Sequence, residues 1–188
     1  MSIKFGLLSL LQQRPMHGYQ LRQEFEATTG STWPLNVGQV YTTLGRLERD
    51  GLVAAPEDGD EAQRVYAITD AGATAVRSWF GTPVAHSSPP RDELAIKLAL
   101  AVHTPGIDVR AVIQAQRTAT VRSLQEYTRA REAARDDLSW SLVADSLIFA
   151  AEAEVRWLDH CETRLARAAV PDAVAVTTDQ PNPSAVQR

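Results

Sequence analysis

Cysteine is nearly absent from this sequence: one residue, Cys161, occurs in 188 positions. A single thiol excludes a disulfide within the chain and fits a reducing compartment, so we expect a cytoplasmic protein. Long apolar runs are also missing, since none approaches the roughly 18 residues needed to span a bilayer. The N-terminus carries no signal-peptide cleavage pattern. A membrane is therefore not among the expected partners.

The sequence also lacks the patterns that carry catalysis. It contains no glycine-rich phosphate loop, no constellation of paired carboxylates and no nucleophile elbow. Asp159, His160 and Cys161 are sequential, so on a helix their side chains point in different directions. The four histidines are scattered, and no two of them share metal-ligand spacing with Cys161. We therefore predict no enzymatic activity, no cofactor and no metal site.

Net positive charge is the third absence. The chain has 19 Lys and Arg against 23 Asp and Glu, a net charge of −4. Residues 1–80 have 7 basic against 9 acidic side chains, a balance of −2. Because non-specific affinity for DNA comes mainly from phosphate neutralisation, a DNA-binding protein of this composition needs a local positive patch and two copies of it.

One stretch, residues 37–52, has the pattern of such a patch. As a helix it places Val40, Leu44 and Leu47 on one stripe with Tyr41 at the flank. The opposite side carries amide, hydroxyl and guanidinium groups, from Gln39, Thr42, Thr43, Arg46 and Arg49. Such groups read base edges and hold phosphates. Asn36 is placed to cap the start of this helix, and Gly51 to end it.

The surrounding segments predict a winged helix-turn-helix at residues 1–81. Two apolar-striped helices, over 3–13 and from Met16 to Gly30, precede the polar-faced helix. Two β-prone segments, 52–55 and 64–69, flank a turn rich in Pro, Asp and Gly, which predicts a hairpin wing. A fourth helix over 71–80 follows, capped by Thr69 or Asp70.

Residues 82–91 contain three prolines and two serines, and we interpret them as a linker. Beyond them the pattern is helical. We predict helices over 92–103, buried on most sides, and over 108–135 and 138–168, the last two pairing along their length. The fold is therefore mainly α with a small β-hairpin wing, and residues 92–168 form an all-α domain. Residues 169–188 are interpreted as a disordered tail.

Three blocks of sequence, in order, resemble the PadR family of transcriptional regulators. They are MHGYQL at 16–21, WPLNVGQVYTTLGRLERDGLV at 33–53 and RVYAITDAG at 64–72. The helical half, which opens with DELAIKLAL at 92–100, resembles the larger subgroup of that family, which has a C-terminal helical dimerisation domain. The resemblance implies a homodimeric repressor that binds a near-palindromic double-stranded DNA operator.

The same resemblance implies roles for individual side chains. Tyr41 would approach DNA with its helix, Tyr19 would help to seat the domain on the phosphate backbone, and Arg64 and Tyr66 of the wing would reach the minor groove. The wing tip departs from expectation, because residues 57–61 include four acids where a phosphate-binding wing needs bases. Either the tip points away from DNA or, as we favour, wing contact is limited to Gln63 and Arg64.

Within the polar-faced helix, Arg46 and Gln39 are the candidates for base contacts. Arginine can bind guanine O6 and N7 bidentately, and glutamine can bind adenine N6 and N7. Thr42 and Thr43 can contact phosphates or a thymine methyl group, and Asn36 and Arg49 are further candidates for DNA contact. Two points stay open: Tyr41 either contacts DNA or flanks the core, and Gly45 permits close approach either of DNA or of a neighbouring helix.

The aromatic residues of the helical half have two interpretations. They pack the core and the dimer, or some of them line a pocket for a small aromatic or amphipathic effector, to which the family resemblance implies a response. The residues concerned are Tyr127, Trp140, Phe149 and Trp157. The negative charge also keeps a second function open: a winged-helix module that binds another protein and not DNA.

Overall fold

The computed structural model of the chain describes residues 3–56, 64–84 and 91–168. Within those ranges it contains seven helices and three short strands. In chain order they are α1 (Ile3–Leu11), β1 (Met16–His17), α2 (Gly18–Thr28), α3 (Val37–Arg49), β2 (Val53–Ala54), β3 (Val65–Ile68), α4 (Asp70–Gly81), α5 (Glu93–Ala101), α6 (Val109–Ala133) and α7 (Leu138–Ala168). The wing tip, most of the predicted linker and the C-terminal tail lie outside the described residues.

The N-terminal half is built around one apolar core beneath α3. Each of α1, α2 and α3 turns its apolar stripe inwards, so side chains from all three helices are almost fully buried: Leu7, Leu8, Leu11, Leu21, Val40, Leu44 and Leu47. Fully burying a leucine or valine side chain contributes about 1.5–3 kcal/mol to folding. The predicted stripe of α3 is confirmed, and its polar face is left at the surface.

The ends of α3 are set by the two predicted residues. The Asn36 side chain accepts a hydrogen bond from the Gly38 amide at 2.8 Å, which satisfies an amide that the helix leaves without a partner. At the other end Gly51 adopts a φ of 70°, and the Leu52 amide donates to the Leu47 carbonyl at 2.8 Å. This left-handed cap turns the chain sharply into β2.

The sheet has one more strand than the sequence predicts. Its order is β1-β3-β2, with Met16 opposite Tyr66 and Val53 opposite Ile68 in antiparallel register. We expected Met16 and His17 to begin the second helix, which was wrong, because both residues are extended and pair with β3. The β2–β3 hairpin confirms the predicted wing.

Burial of Tyr66 corrects a second expectation. Its side chain is 1% exposed and belongs to the core. The residue lies on the inner face of β3, towards the helices, and it cannot extend into a DNA groove. The burial pattern of β3, in which only Tyr66 is buried, follows the alternation of side chains along a strand.

The C-terminal half is an antiparallel pair of long helices, α6 and α7, with α5 laid across one end. The 25 residues of α6 span about 38 Å. Polar side chains join the pair at intervals: Arg131 to Asp145 at 2.9 Å, Gln116 to Glu154 at 2.9 Å and Arg117 to Glu162 at 2.8 Å. The Arg117 hydrogen bond holds the pKa of Glu162 below its ordinary value.

Helix α5 is covered on one side only, contrary to the expectation that it is buried on most sides. Leu98 is 7% exposed, whereas Ile96, Leu100 and Val102 are 48%, 63% and 53% exposed. The apolar density of the segment is real, but α6 and α7 cover only the face that carries Leu98. An uncovered apolar surface therefore lies along α5 in a single chain.

No helix among the described residues combines the length and the apolar character needed to cross a bilayer.

Candidate nucleic-acid interface

The turn between α2 and α3 positions the predicted interface. Gly30 and Ser31 adopt successive left-handed conformations, with φ of 57° and 54°. A carboxylate oxygen of Glu26 then accepts hydrogen bonds from Arg22 Nε at 3.0 Å and from the Leu35 amide at 3.1 Å. These two bonds, that from Arg22 first, lower the pKa of Glu26. The approach to α3 is therefore fixed by an ionised side chain of α2.

The outer face of α3 is polar and accessible. Gln39, Thr42, Arg46 and Arg49 are all exposed. Arg49 lies 3.5 Å from Asp50, which also pairs with Lys4 at 3.6 Å. The Arg46 side chain makes no hydrogen bond or ion pair with any described residue, so its guanidinium group is available to a partner. The other two arginines among the predicted DNA contacts, Arg49 and Arg64, each form an ion pair within the described part of the chain.

Two further polar residues of this face are partly occupied within the chain. The Thr43 hydroxyl donates to the Gln39 carbonyl at 2.7 Å, and the Asn36 side-chain oxygen Oδ1 caps the helix by accepting from the Gly38 amide. Their remaining acceptor and donor groups stay accessible. A shallow depression of about 680 Å³ runs along the face, from Asn36 past Thr42 to Arg46, with Ile3 of α1 at its edge.

The two predicted tyrosines differ in position. Tyr19 lies in the first turn of α2 and is 54% exposed. Tyr41 is half-buried and packs beside Gly18, where an added Cβ would lie 2.7 Å from the Tyr41 Cε1 atom. The ring therefore flanks the core between α2 and α3, which is the second of the two interpretations that the sequence left open.

Arg64 is engaged inside the protein and is not free to reach a groove. Its Nη2 atom lies 2.6 Å from Glu48 Oε1, its Nη1 donates to Glu48 Oε2 at 3.3 Å, and its Nε donates to the Pro56 carbonyl at 3.1 Å. The side chain is 19% exposed. Arg64 therefore braces the wing against α3, which corrects its predicted role. Gln63, the other predicted wing contact, lies outside the described residues.

Sequence reasoning missed the residues that support this arrangement. Glu48 anchors Arg64, Glu26 anchors the turn, and His17 Nδ1 lies 3.2 Å from the Arg64 carbonyl. Only the pair of Arg22 and Glu26, four residues apart on α2, carries a local signal of this kind. The others join residues that are distant in the sequence.

The four aromatic residues predicted for an effector pocket do not meet. Trp157 lines a groove of about 410 Å³ between α5, α6 and α7, and Tyr127 lines a separate one of about 270 Å³ between α6 and α7. Trp140 packs against Gly30 of the N-terminal half, and Phe149 is 65% exposed. The four side chains face different sides of the helices, so only some of them can line any one pocket.

A three-helix core, a three-stranded sheet with a wing and an exposed polar third helix define a winged helix-turn-helix protein with an added helical region. Residues 7–78 match the PadR-like family of transcriptional regulators, and residues 90–166 match the C-terminal region described for virulence activator alpha. Residues 7–78 therefore form a domain of the PadR-like family of transcriptional regulators, followed by a C-terminal domain of the virulence-activator type.

Individual relatives resemble the chain over most of its length. The probable transcriptional regulator Rv1176c of Mycobacterium tuberculosis is 28% identical, over 85% of this chain and 95% of that protein. The virulence activator AphA of Vibrio cholerae is 26% identical, with a TM-score of 0.66 over 89% of this chain and all of that one.

Bacillus subtilis PadR shares the fold at lower identity. Its complex with operator DNA is 20% identical, with a TM-score of 0.68 over 89% of this chain and 99% of that one. Its complex with p-coumaric acid is 18% identical, with a TM-score of 0.71 over 87% of this chain and 98% of that one.

Proposed function

We propose that this regulator represses transcription by binding a near-palindromic operator as a homodimer, with α3 of each copy in the major groove. The observation that carries the proposal is the exposed polar face of α3, which lies opposite the buried stripe of Val40, Leu44 and Leu47. On this face the Arg46 side chain has no hydrogen-bond or ion-pair partner among the described residues. Arg46 and Gln39 would read guanine and adenine edges. The family membership and the operator complex of Bacillus subtilis PadR support it.

The phosphate contacts in this proposal surround α3. Tyr19 in the first turn of α2, Thr42 and Arg49 are exposed, and in this proposal they contact the phosphate backbone on either side of a groove-bound α3. Because Arg64 is held by Glu48, we assign direct wing contact to Gln63 alone. Arg46 and Arg49 are the only cations assigned to DNA contact, so a domain with a net negative charge would need two copies of this surface to bind DNA.

We assign DNA binding to residues 1–81 and dimerisation to residues 92–168. Exposed apolar side chains support the second assignment: Leu138, Leu142 and Phe149 fall on one stripe of α7 and are 72%, 63% and 65% exposed. A stripe of this kind favours packing against a second copy of the helix pair. The dimer would then separate the two α3 helices by one turn of DNA or a multiple of it.

A small aromatic or amphipathic effector is the remaining part of the proposal. It is supported by the groove beside Trp157, whose walls are mainly apolar and which also carries His160 and Arg164. An aromatic ring with a carboxylate fits this combination, and p-coumaric acid is such a compound in the Bacillus subtilis PadR complex. Titration with p-coumarate, followed by Trp fluorescence, should saturate for the native protein and weaken in Arg164→Ala.

The test of DNA binding is a salt series with the DNA immediately upstream of the protein's own gene. Native protein should bind tightly, and its affinity should fall steeply as salt rises, because binding releases counterions from several phosphates. Arg46→Ala should weaken binding by about 1–3 kcal/mol. Arg77→Ala, which removes an exposed arginine from α4 of the same half, is the matched control and should bind like the native protein.

The alternative function, a winged-helix module that binds another protein, predicts the opposite result. Its supporting observation is the charge balance of residues 1–80, 7 basic against 9 acidic side chains. If the folded protein binds neither the upstream DNA nor a pool of genomic fragments at low salt, the proposal of a DNA-binding regulator is rejected in favour of this alternative.

A further inference from the structure

One side chain of the C-terminal helices contacts the turn of the helix-turn-helix directly. Trp140 is the third residue of α7, where the Asp137 side chain accepts a hydrogen bond from its amide at 3.1 Å. Its half-buried indole packs directly against Gly30: a Cβ atom added to that glycine would collide with the ring, lying 2.5 Å from Cζ3. The contact therefore joins α7 to the end of α2 without any intervening side chain.

Gly30 lies at the point where the chain leaves α2 on its way to α3. The Ser31 amide donates to the Glu26 carbonyl at 2.6 Å and the Thr32 amide donates to the Thr29 carbonyl at 3.1 Å. The turn is thus held from the inside by α2, and from the outside by Trp140. Any displacement of Trp140 acts on the segment that leads directly into α3.

The covalent connection between the two halves runs elsewhere, from the end of α4 at Gly81 to the start of α5 at Glu93. A single chain connection leaves two bodies free to rotate about it, whereas a second contact at a distance from the first restricts that rotation. The Trp140–Gly30 contact is such a second connection, made by a flat rigid ring on a glycine that offers no side chain of its own.

We infer that Trp140 is a positioning residue, which fixes the orientation of α3 relative to the C-terminal helices and so sets the spacing between the two half-sites that the dimer recognises. The inference rests on the proposed function, because half-site spacing has meaning only for a DNA-binding dimer. Its structural part, immobilisation of the α2–α3 turn by Trp140, does not depend on DNA binding and can be measured in the free protein.

Amide hydrogen exchange in the full-length protein tests the structural part. Trp140→Leu removes the ring, and Trp157→Leu removes the same group from a half-buried position on the same helix, within the groove beside α5. The Ser31 and Thr32 amides should exchange about tenfold faster in Trp140→Leu, because local opening of a hydrogen-bonded turn controls their exchange. They should be unaffected in Trp157→Leu and nearly unaffected in Trp140→Phe, which keeps a flat ring.

Half-site spacing tests the positioning part. Once the half-sites upstream of the protein's gene are mapped by footprinting, fragments are made with one or two base pairs inserted or deleted between them, each a change of about 3.4 Å. The native protein and Trp140→Phe should lose about tenfold in affinity with each altered fragment. Trp140→Leu should bind the native spacing more weakly and discriminate much less between spacings.

The outcomes separate the inference from the function beneath it. Unchanged exchange of the turn amides in Trp140→Leu, or equal acceleration in Trp157→Leu, overturns the inference whatever the DNA result. Accelerated exchange with an unaltered spacing profile overturns the positioning role. If the native protein binds no DNA, both the proposed function and the role of Trp140 in half-site spacing are rejected.

Discussion

Replacement of Gly45 by alanine should separate the stability of α3 from its approach to DNA. Gly45 lies inside α3, where glycine costs about 1 kcal/mol relative to alanine because its backbone loses more freedom on folding. A Cβ atom built on Gly45 would have no described heavy atom within 4 Å, apart from its two chain neighbours and the nearby backbone of α3 itself. The structure therefore leaves room for the methyl group, and no neighbouring helix of the described chain explains the glycine.

The expected gain is correspondingly close to the full helix-propensity difference. Gly45→Ala should raise the free energy of unfolding by about 1 kcal/mol, which for a chain of this length corresponds to a rise in Tm of roughly 2–4 °C. Urea denaturation followed by circular dichroism gives the first quantity. Gly81→Ala is the matched control: its Cβ position is also open, but it is the last residue of α4, so it should gain less.

DNA affinity of the same two variants addresses the second role of Gly45. If the glycine allows the backbone of α3 to approach DNA closely, Gly45→Ala should bind about tenfold more weakly despite its greater stability, at the lower end of what a lost base contact costs. Gly81→Ala should bind normally. A Gly45→Ala protein that is no more stable refutes the reasoning about open helix space, and one that is more stable with unchanged affinity refutes close approach.

Three further changes give distinct signatures. Gly72→Ala should lower the free energy of unfolding by about 1–3 kcal/mol, since the added methyl would collide with the Leu52 carbonyl oxygen, and an unchanged urea midpoint would contradict this packing. Glu26→Gln should be less stable than the native protein at neutral pH. The Arg22 hydrogen bond lowers the folded-state pKa of Glu26, so the ionised Glu26 stabilises the fold above its ordinary pKa of 4.5 and loses this effect as the pH falls through the folded-state value. The stability difference between Glu26→Gln and the native protein should therefore shrink in acid. A stability difference that is independent of pH would argue against the ion pair. Phe149→Glu should weaken dimerisation about tenfold or more in sedimentation equilibrium while leaving the fold intact, and an unaltered dimer would remove Phe149 from the interface.

The features that sequence predicted well depend on neighbours in the chain. Helix α7 has the predicted bounds, Leu138–Ala168, because the apolar periodicity along it is a local signal. The cap at Asn36 and the left-handed Gly51 were predicted for the same reason, since each acts within one helical turn. The polar face of α3 follows directly from the position of its buried stripe.

The features that sequence did not predict depend on pairing between distant segments. Strand β1 is only two residues long, and it exists because β3 lies beside it, about fifty positions later in the chain. Arg64 looked like a wing cation because nothing in its own segment shows that Glu48 lies opposite. Tyr66 is equally ambiguous, since alternation along a strand indicates two faces but not which of them meets the core.

The polar bonds between α6 and α7 have a consequence for how a signal could travel along the molecule. A shift of α6 along α7 by one helical turn, about 5.4 Å, would separate Arg131 from Asp145 and Arg117 from Glu162 at once. Sliding between the two helices is therefore opposed by every one of these bonds, while tilting of the pair as a unit breaks none of them. A ligand that displaced the α5 end of the pair would therefore change the angle of the pair at the turn beside Trp140, at the other end, and would not shift one helix along the other.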